Sequence, residues 1–489
     1  MRLEKKMSKK VVLVMSKQWF PEALLQCPAG TGKPPRWLRR RMACIRRMQG
    51  PGSRASRVCV PKQELGNEWW RFHWLRLFNV VFSVPVCSVM LCSVLLCSVG
   101  MSQDNTNVPI QRPQDPPDCK AGQLVQWEGW SFRWQFRDIE GLMINDVYFQ
   151  GTKVFKSINL AEIYVPYAPG APRPEDFSLG GFLANPMPLE IGRDCNSTLS
   201  GCKPFGRDGS PATGTTADVM MHEESTGFAY AGMQGRAPGK MLVLWSMVHF
   251  KGTDDGYTYV VKWKFRNDGS ICPEVGATGG LQHLNIGAGT DAGLIVGKDK
   301  QGQDVFAPSH VHNFYFRIDF DIDGADSNVA EEFSYETDSS DPQVARALWR
   351  PFEREAGRVL SENVFRSWRV KNPKSLNAAG RPRSYHLMPG GHGAWKDGGF
   401  PVCSGDFFIT KFRASEFPYS ATDNRRLLSA LANYLNDEPV IETDLVAWYR
   451  LSFVHHPRTE DWPAQPIVWN SFELMPRDFL DASPLKPKK

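Results

Sequence analysis

The stretch HVHNFYFRIDFDIDG, residues 310–324, alternates aromatic or aliphatic side chains with polar ones. Alternate residues of an extended strand share a face, so this pattern predicts a strand. His310 and His312 fall on the same face as the phenylalanines, which is the face predicted to enter the core. The carboxylates of Asp319 and Asp321 fall on the opposite face.

A second stretch, LVAWYRLSFVHHPR at 445–458, divides in the same way. His455 has the parity of Tyr449 and Phe453, whereas Asp444 has that of the opposite face. Three imidazoles directed into one core suggest a His₃ metal site. Such donors suit copper, zinc, iron or nickel, and three of them leave an open, reactive position. The alternative is that an H-x-H pair on a strand is simply buried and satisfied by hydrogen bonds.

The rest of the chain after Ala121 consists of short alternating runs separated by Gly, Pro, Asn and Asp. Helical patterns are few, in DPQVARALWRPFEREAG (341–357) and DNRRLLSALANYL (423–435). We therefore predict a mainly β domain over 122–489, a large antiparallel β-sandwich with a few short helices.

The first hundred residues differ in composition. Basic residues concentrate in 1–76, so the net charge of +6 is not spread over the chain, and without a phosphate loop or zinc-knuckle spacing we expect no nucleic-acid partner. The uncharged run 77–100 has the length of a membrane anchor, and the positive-inside rule would put the following domain outside the cell. Alternatively, this run ends in a signal-cleavage site, or Met101 is the true start and the upstream residues are a gene-model extension. Residues 101–121 form a predicted linker.

Several blocks of the chain resemble, in the same order, those of the copper-containing, topaquinone-dependent primary amine oxidases. The quoted blocks include EGWSFRWQFRDIEGLMINDVYFQG (128–151), YTYVVKWKFRNDGSI (257–271) and VHHPRTEDWPAQP (454–466). The resemblance runs through most of the chain after Ala121 and covers the catalytic domain of that family. The small domains that usually precede it there have no counterpart here.

The resemblance implies a copper ion held by His310, His312 and His455. It also implies a topaquinone made from Tyr257, which stands where the family has the tyrosine of T-x-x-N-Y-[D/E]. Gly256 replaces the usual Asn of that motif, and Thr258 replaces the usual acid. Without the resemblance, Tyr257 would be interpreted as a core tyrosine.

The catalytic base of the family corresponds to the segment 173–180, RPEDFSLG. Aligned without a gap, Arg173 takes its place; aligned with a three-residue deletion, Asp176 does, and an apolar pocket would raise the pKa of that carboxyl. Alternatively, Asp176 is a loop acid facing solvent.

A peripheral hard cation, usually calcium, is implied at Asp319, Asp321 and Asp444, since oxygen ligands suit calcium and not copper. The alternative for these three residues is a solvated acidic strand edge.

The implied activity is oxidation of a primary amine by dioxygen to aldehyde, ammonia and hydrogen peroxide, by a homodimer. One alternative is a copper-binding homologue without turnover that serves as a structural or surface interaction protein. Another is a membrane-anchored adhesion or receptor protein. Cys195 and Cys202 could close a small loop, and the Asn196 sequon between them would suit an exported protein, secreted or anchored by 77–100.

Overall fold

The structure, a computed structural model, describes most of the chain from residue 121 onward. The described residues are 121–486 apart from 138–139, 167–182, 184, 196–198, 250–255, 282–293, 339, 342, 391–404, 415 and 417–426. The basic segment 1–76, the apolar run 77–100 and nearly all of the predicted linker 101–121 lie outside the described residues. Asp176 also lies outside them.

The described residues are mainly in β-strands. In chain order the strands are β1 (Gln123–Trp127), β2 (Trp130–Arg137), β3 (Gly141–Phe149), β4 (Thr152–Tyr164), β5 (Leu189–Glu190), β6 (Ser200–Phe205), β7 (Thr216–Ala217), β8 (Val219–Gly232), β9 (Gly235–His249), β10 (Tyr257–Arg266), β11 (Ile271–Gly279), β12 (Leu294–Lys298), β13 (Asp304–Ala307), β14 (His310–Phe320), β15 (Asn328–Thr337), β16 (Ala345–Pro351), β17 (Ala356–Arg358), β18 (Ser367–Leu376), β19 (Pro382–Met388), β20 (Phe407–Lys411), β21 (Ile441–Thr443), β22 (Leu445–His455), β23 (Gln465–Ser471) and β24 (Glu473–Arg477). One α-helix, α1 (Leu427–Tyr434), and 3-10 turns at Ala325–Ser327, Glu362–Val364 and Thr459–Asp461 accompany them.

Most strands belong to two large antiparallel sheets. The eight-stranded sheet has the order β1-β2-β3-β4-β14-β22-β20-β17. The twelve-stranded sheet has β16-β15-β18-β19-β24-β11-β10-β9-β8-β6 as its main path, with β21 pairing with β15 and β23 with β11. The two histidine-bearing strands, β14 and β22, are therefore neighbours, and β10 lies in the other sheet.

Aromatic side chains from both sheets interlock between them. Trp263 of β10 meets Phe316 of β14 edge-on with ring centroids 6.0 Å apart, and Phe132 stacks on Phe265 at 4.1 Å. All of these rings are buried, and edge-to-face or offset contacts of this kind add to the stabilisation from burial itself. The prediction of a mainly β, antiparallel sandwich is confirmed.

The opposite face of β14 is also covered. Tyr315 and Trp448 on that face belong to a second buried cluster with Leu431 and Tyr434 of α1. All eleven residues of β14 are therefore buried, including the polar ones. The acidic face that alternation predicted is thus an interior surface and not a solvated edge.

One predicted helix is wrong and the other is confirmed in part. The helical pattern at 341–357 instead contains β16, which pairs with β15 and sets Trp349 opposite Phe333 with ring centroids 4.9 Å apart. This cross-strand aromatic contact outweighs the local helical preference of the segment. The pattern at 423–435 does contain α1.

Among the described residues, no helix combines the length and apolar character that crossing a membrane requires. The run 77–100, for which an anchor was predicted, is outside the part of the chain to which this finding applies.

Candidate metal centre

Three imidazoles converge at the end of the β14–β22 pair. His310 is the register partner of His455, and His312 is two residues along the same face of β14. Each ring offers one nitrogen, and these nitrogens all lie within 4.8 Å of one another. The structure thus brings together the three histidines that strand parity had placed on the core-facing side.

Two of these rings are held through the nitrogen that points away from the cluster. Nδ1–H of His310 donates to the carbonyl oxygen of Pro308 at 2.9 Å. Nε2–H of His455 donates to a carboxylate oxygen of Asp461, also at 2.9 Å. Because a carbonyl or carboxylate only accepts, we assign the protons to these nitrogens, which leaves Nε2 of His310 and Nδ1 of His455 with lone pairs.

The third ring, His312, is fully buried. Its Nδ1 lies 2.9 Å from the hydroxyl of Tyr259, and its face stacks on Phe453 with centroids 4.6 Å apart. Its Nε2 is buried and has no hydrogen-bond partner among the described residues. A buried polar atom left in this state costs free energy, and metal ligation is one way in which such a nitrogen is satisfied.

Burial also fixes the charge state of the rings. Loss of hydration, with a smaller contribution from the neighbouring His455, lowers the pKa of His310 to about 3. Burial, with the neighbouring His310 and His455, holds the pKa of His312 well below its ordinary value. The two imidazoles are therefore neutral at physiological pH, which is the form that ligates metals.

Tyr257 reaches this cluster from the opposite sheet. It is the first residue of β10, and its hydroxyl oxygen lies 2.8 Å from Nε2 of His310 and 2.8 Å from Nδ1 of His455. A single hydroxyl hydrogen cannot lie between the oxygen and both nitrogens at once. A cation among the three atoms would attract all of them, so the donor set fits a transition metal, with imidazoles and a phenolic oxygen as ligands.

The residues beside Tyr257 point elsewhere. Thr258 faces the other side of β10, where its hydroxyl lies 2.9 Å from Nδ1 of His249 on β9. The carbonyl of Gly256 accepts from the amide of Gly280 at 3.1 Å. The substitution at Thr258 therefore lies outside the metal cluster, whereas Gly256 provides no side chain at the position immediately before the ring.

The comparison with known proteins agrees with a transition-metal centre. A family model described as copper amine oxidase, enzyme domain, matches residues 119–487. The chain belongs to the copper amine oxidase family.

Curated relatives of this copper amine oxidase family member share under a third of its residues. Copper amine oxidase 1 of Aspergillus niger is 27% identical over 79% of this chain and 61% of the relative. N-methylputrescine oxidase 1, peroxisomal, of Nicotiana tabacum is 30% identical over 77% of this chain and 51% of the relative. The chain thus spans between half and three fifths of the length of these relatives.

Solved structures show the same fold. A copper-containing benzylamine oxidase from Hansenula polymorpha superposes with a TM-score of 0.64 at 24% identity, covering 79% of this chain and 66% of the other. A Pichia pastoris lysyl oxidase gives 0.59 at 21% identity, covering 81% and 59%. The sandwich described above is therefore the fold of copper amine oxidases.

The second predicted site of this family member, at the three aspartates, is only partly assembled. Asp319 pairs with Arg317 at 3.1 Å, and Asp321 pairs with Lys153 at 2.9 Å. Within the described part of the chain, one carboxylate oxygen of Asp319 and one of Asp444 are nevertheless buried without a hydrogen-bond partner. Burial, together with the nearby Asp319, raises the pKa of Asp444 to about 7. In the described part of the chain, His310, His312 and His455 form a group of three potential ligands close enough to hold one metal ion. The three carboxylates do not form such a group.

Sequence reasoning missed the residues that orient the imidazoles. Tyr259 lies on the same face of β10 as Tyr257, but strand parity does not predict that its hydroxyl contacts His312 in the opposite sheet. Asp461 is six residues after His455, on a 3-10 turn, so strand parity does not apply to it. The signal for Asp461 in the sequence was its position in VHHPRTEDWPAQP, the block that also contains His455. Burial by itself would raise the pKa of Asp461, but hydrogen bonds from His455 and Arg458 lower it, so the residue is a carboxylate.

The small loop predicted between two cysteines is present. Cys195 and Cys202 form a disulfide with their Cα atoms 5.9 Å apart. The sequon residue Asn196 lies outside the described residues.

Proposed function

We propose that this chain converts primary amines, dioxygen and water to the aldehyde, ammonia and hydrogen peroxide. Copper would be held by His310, His312 and His455, and Tyr257 would be the precursor of topaquinone. The observation that carries the proposal is the position of the Tyr257 hydroxyl, 2.8 Å from nitrogens of two of the three converging histidines. An ordinary core tyrosine has no reason to reach across a sandwich into an imidazole cluster.

Copper and the quinone would supply the redox chemistry, namely activation of dioxygen and an electrophilic carbonyl for the amine. The chain's own residues prepare that chemistry. His310 and His455 direct Nε2 and Nδ1 toward the tyrosine oxygen, and their other nitrogens are held by Pro308 and Asp461. The buried position of Tyr257 and His312 keeps bulk water from the ring. Asp176 remains our proposed base for removing the substrate proton.

A turnover assay on the full-length chain tests the proposal. The protein is produced without metal, loaded with copper in air and supplied separately with methylamine, benzylamine and putrescine, which differ in size and charge. We expect one bound copper per chain and hydrogen peroxide release with at least one of the amines. Copper binding with no peroxide from any of them would contradict the proposed activity.

A copper-binding homologue without turnover is the second candidate. It is favoured by Gly256, because no side chain precedes Tyr257 to restrain the ring. Restoring the side chain separates the two candidates. If the wild-type chain releases no peroxide and the Gly256→Asn variant does, then Gly256 is the residue that impairs the centre.

Further properties of the family are proposed for this chain as well. These are a homodimer and a calcium ion at Asp319, Asp321 and Asp444. Independently of the family, we propose that the chain is exported, either secreted or anchored by 77–100 with the catalytic domain outside the cell, which is an oxidising compartment. The orphaned oxygens of Asp319 and Asp444 support the cation, and the Cys195–Cys202 disulfide supports the compartment. Sedimentation of the purified chain tests the dimer. Calcium-dependent thermal stabilisation, lost in Asp444→Asn, tests the cation.

A further inference from the structure

His455 differs from the other two histidines in the partner of its outward nitrogen. His310 donates to a main-chain carbonyl, and His312 meets a tyrosine hydroxyl. His455 donates to a carboxylate, Asp461, across 2.9 Å. At the same length, a hydrogen bond to a charged carboxylate is stronger than one to a neutral acceptor, and it draws the N–H proton outward.

The carboxylate is itself fixed in place. Asp461 is 1% exposed and ends the 3-10 turn Thr459–Asp461. Its Oδ2 accepts the main-chain N–H of Arg458 at 3.0 Å, and its Oδ1 accepts Nε–H of the same arginine at 3.3 Å. Asp461 cannot rotate away from His455 without losing these contacts as well.

We propose that Asp461 is a positioning residue for the metal centre. It holds His455 in the tautomer with the proton on Nε2, directs Nδ1 toward Tyr257 and His310, and makes this imidazole a more basic ligand. Outer partners of this type orient metal-bound histidines and tune their donor strength. This inference rests on the copper site of the proposed function and adds to it the residue that sets one ligand.

The alternative is that Asp461 only stabilises its turn through Arg458. Asp406 provides a matched control for that role. It is 2% exposed, accepts the amide of Leu360 at 2.6 Å and pairs with Arg450 at 3.1 Å. It has the same burial and the same type of partners as Asp461 but contacts no histidine of the cluster.

The experiment compares Asp461→Asn with Asp406→Asn in the full-length protein. Copper affinity is measured by competition with a chelator, the copper(II) site by electron paramagnetic resonance, and folding by thermal unfolding of the metal-free protein. We expect Asp461→Asn to lose about 10–100-fold in copper affinity and to alter the resonance spectrum. Asp406→Asn should keep the wild-type affinity and spectrum even if its thermal stability falls.

Unchanged affinity and spectrum in Asp461→Asn would overturn the inference while leaving the copper site intact. An equal loss of affinity in both variants would also overturn it, because the effect would then follow stability. Failure of the wild-type chain to bind copper would instead remove the proposed function and this inference with it. If Asp461→Asn does not fold, Arg458→Gln replaces it: this exposed side chain restrains Asp461 without touching His455. Lower copper affinity in that variant supports the inference, and wild-type affinity contradicts it.

Discussion

The hydroxyl of Tyr257 lies 2.8 Å from Nδ1 of His455, although the two residues are 198 positions apart and belong to opposite sheets of the sandwich. The contact joins the start of β10 to the end of β22. It places a ring that can be oxidised beside the nitrogens that would hold the oxidising metal.

Replacing Tyr257 by phenylalanine should separate metal binding from turnover. The three imidazoles do not depend on the hydroxyl for their orientation, because Pro308, Tyr259 and Asp461 contact their outward nitrogens. Tyr257→Phe is therefore expected to bind one copper per chain and to release no hydrogen peroxide above background. The measurements are metal analysis and a peroxide assay. Peroxide at the wild-type rate would show that the quinone forms elsewhere.

Removal of one imidazole should abolish tight copper binding. His312→Ala deletes a buried ligand, so its effect should exceed the about 10–100-fold loss expected for an outer partner. His386→Gln is the control, since His386 is another buried histidine, which is bonded to Ser367 at 2.8 Å and to Arg477 at 3.2 Å. Copper retained after dialysis is measured for both. Retention of copper by His312→Ala would contradict the assignment of this ligand.

Thr258 should prove unimportant for quinone formation despite its place beside Tyr257. Its hydroxyl faces His249 on the other side of β10. Thr258→Val is therefore expected to form the quinone as the wild type does, and to lose about 1 kcal/mol in the free energy of unfolding with the hydrogen bond. Urea unfolding and quinone titration check the two parts. A severe loss of quinone would mean that this face of the strand governs the ring.

Glu416 should make the stability of the fold depend on pH. Burial, together with the nearby carboxylates of Glu355 and Glu438, raises the pKa of this carboxyl to about 7. The folded state holds the proton more tightly than the unfolded state does. The stabilisation is thus complete below the ordinary pKa of about 4.5 and is lost as the pH rises through about 7.

Glu416→Gln removes this titration. In the metal-free protein we expect the variant to match the wild type near pH 4.5 and to be the more stable of the two near pH 8. Denaturant unfolding at several pH values measures the difference. A difference that does not change with pH would contradict the raised pKa.

Much of the centre was predictable because strand parity is a local property. The two-residue period of β14 and β22 placed His310, His312 and His455 on the core face without any knowledge of the partner strand. The position of Tyr257 beside the histidines was predictable only from the family resemblance, because strand parity does not relate residues on separate sheets.

Other features depend on tertiary contacts that the sequence does not encode locally. The stretch 341–357 has a helical pattern, but part of it forms β16, an edge strand that pairs with β15. Asp461 and the carbonyl oxygen of Pro308 contact the histidines but lie outside the strands. In such segments the direction of a polar group cannot be inferred from residue spacing. The carboxylates of Asp319 and Asp321 follow the predicted alternation, yet their pairing with Arg317 and Lys153 appears only in the folded structure.

The most direct test of the central claim is peptide mass spectrometry of the full-length chain after copper loading in air and treatment with phenylhydrazine. The account predicts a covalent adduct on the peptide that contains Tyr257, absent when copper is omitted and absent in Tyr257→Phe. An unmodified Tyr257 in folded, copper-loaded protein would contradict it.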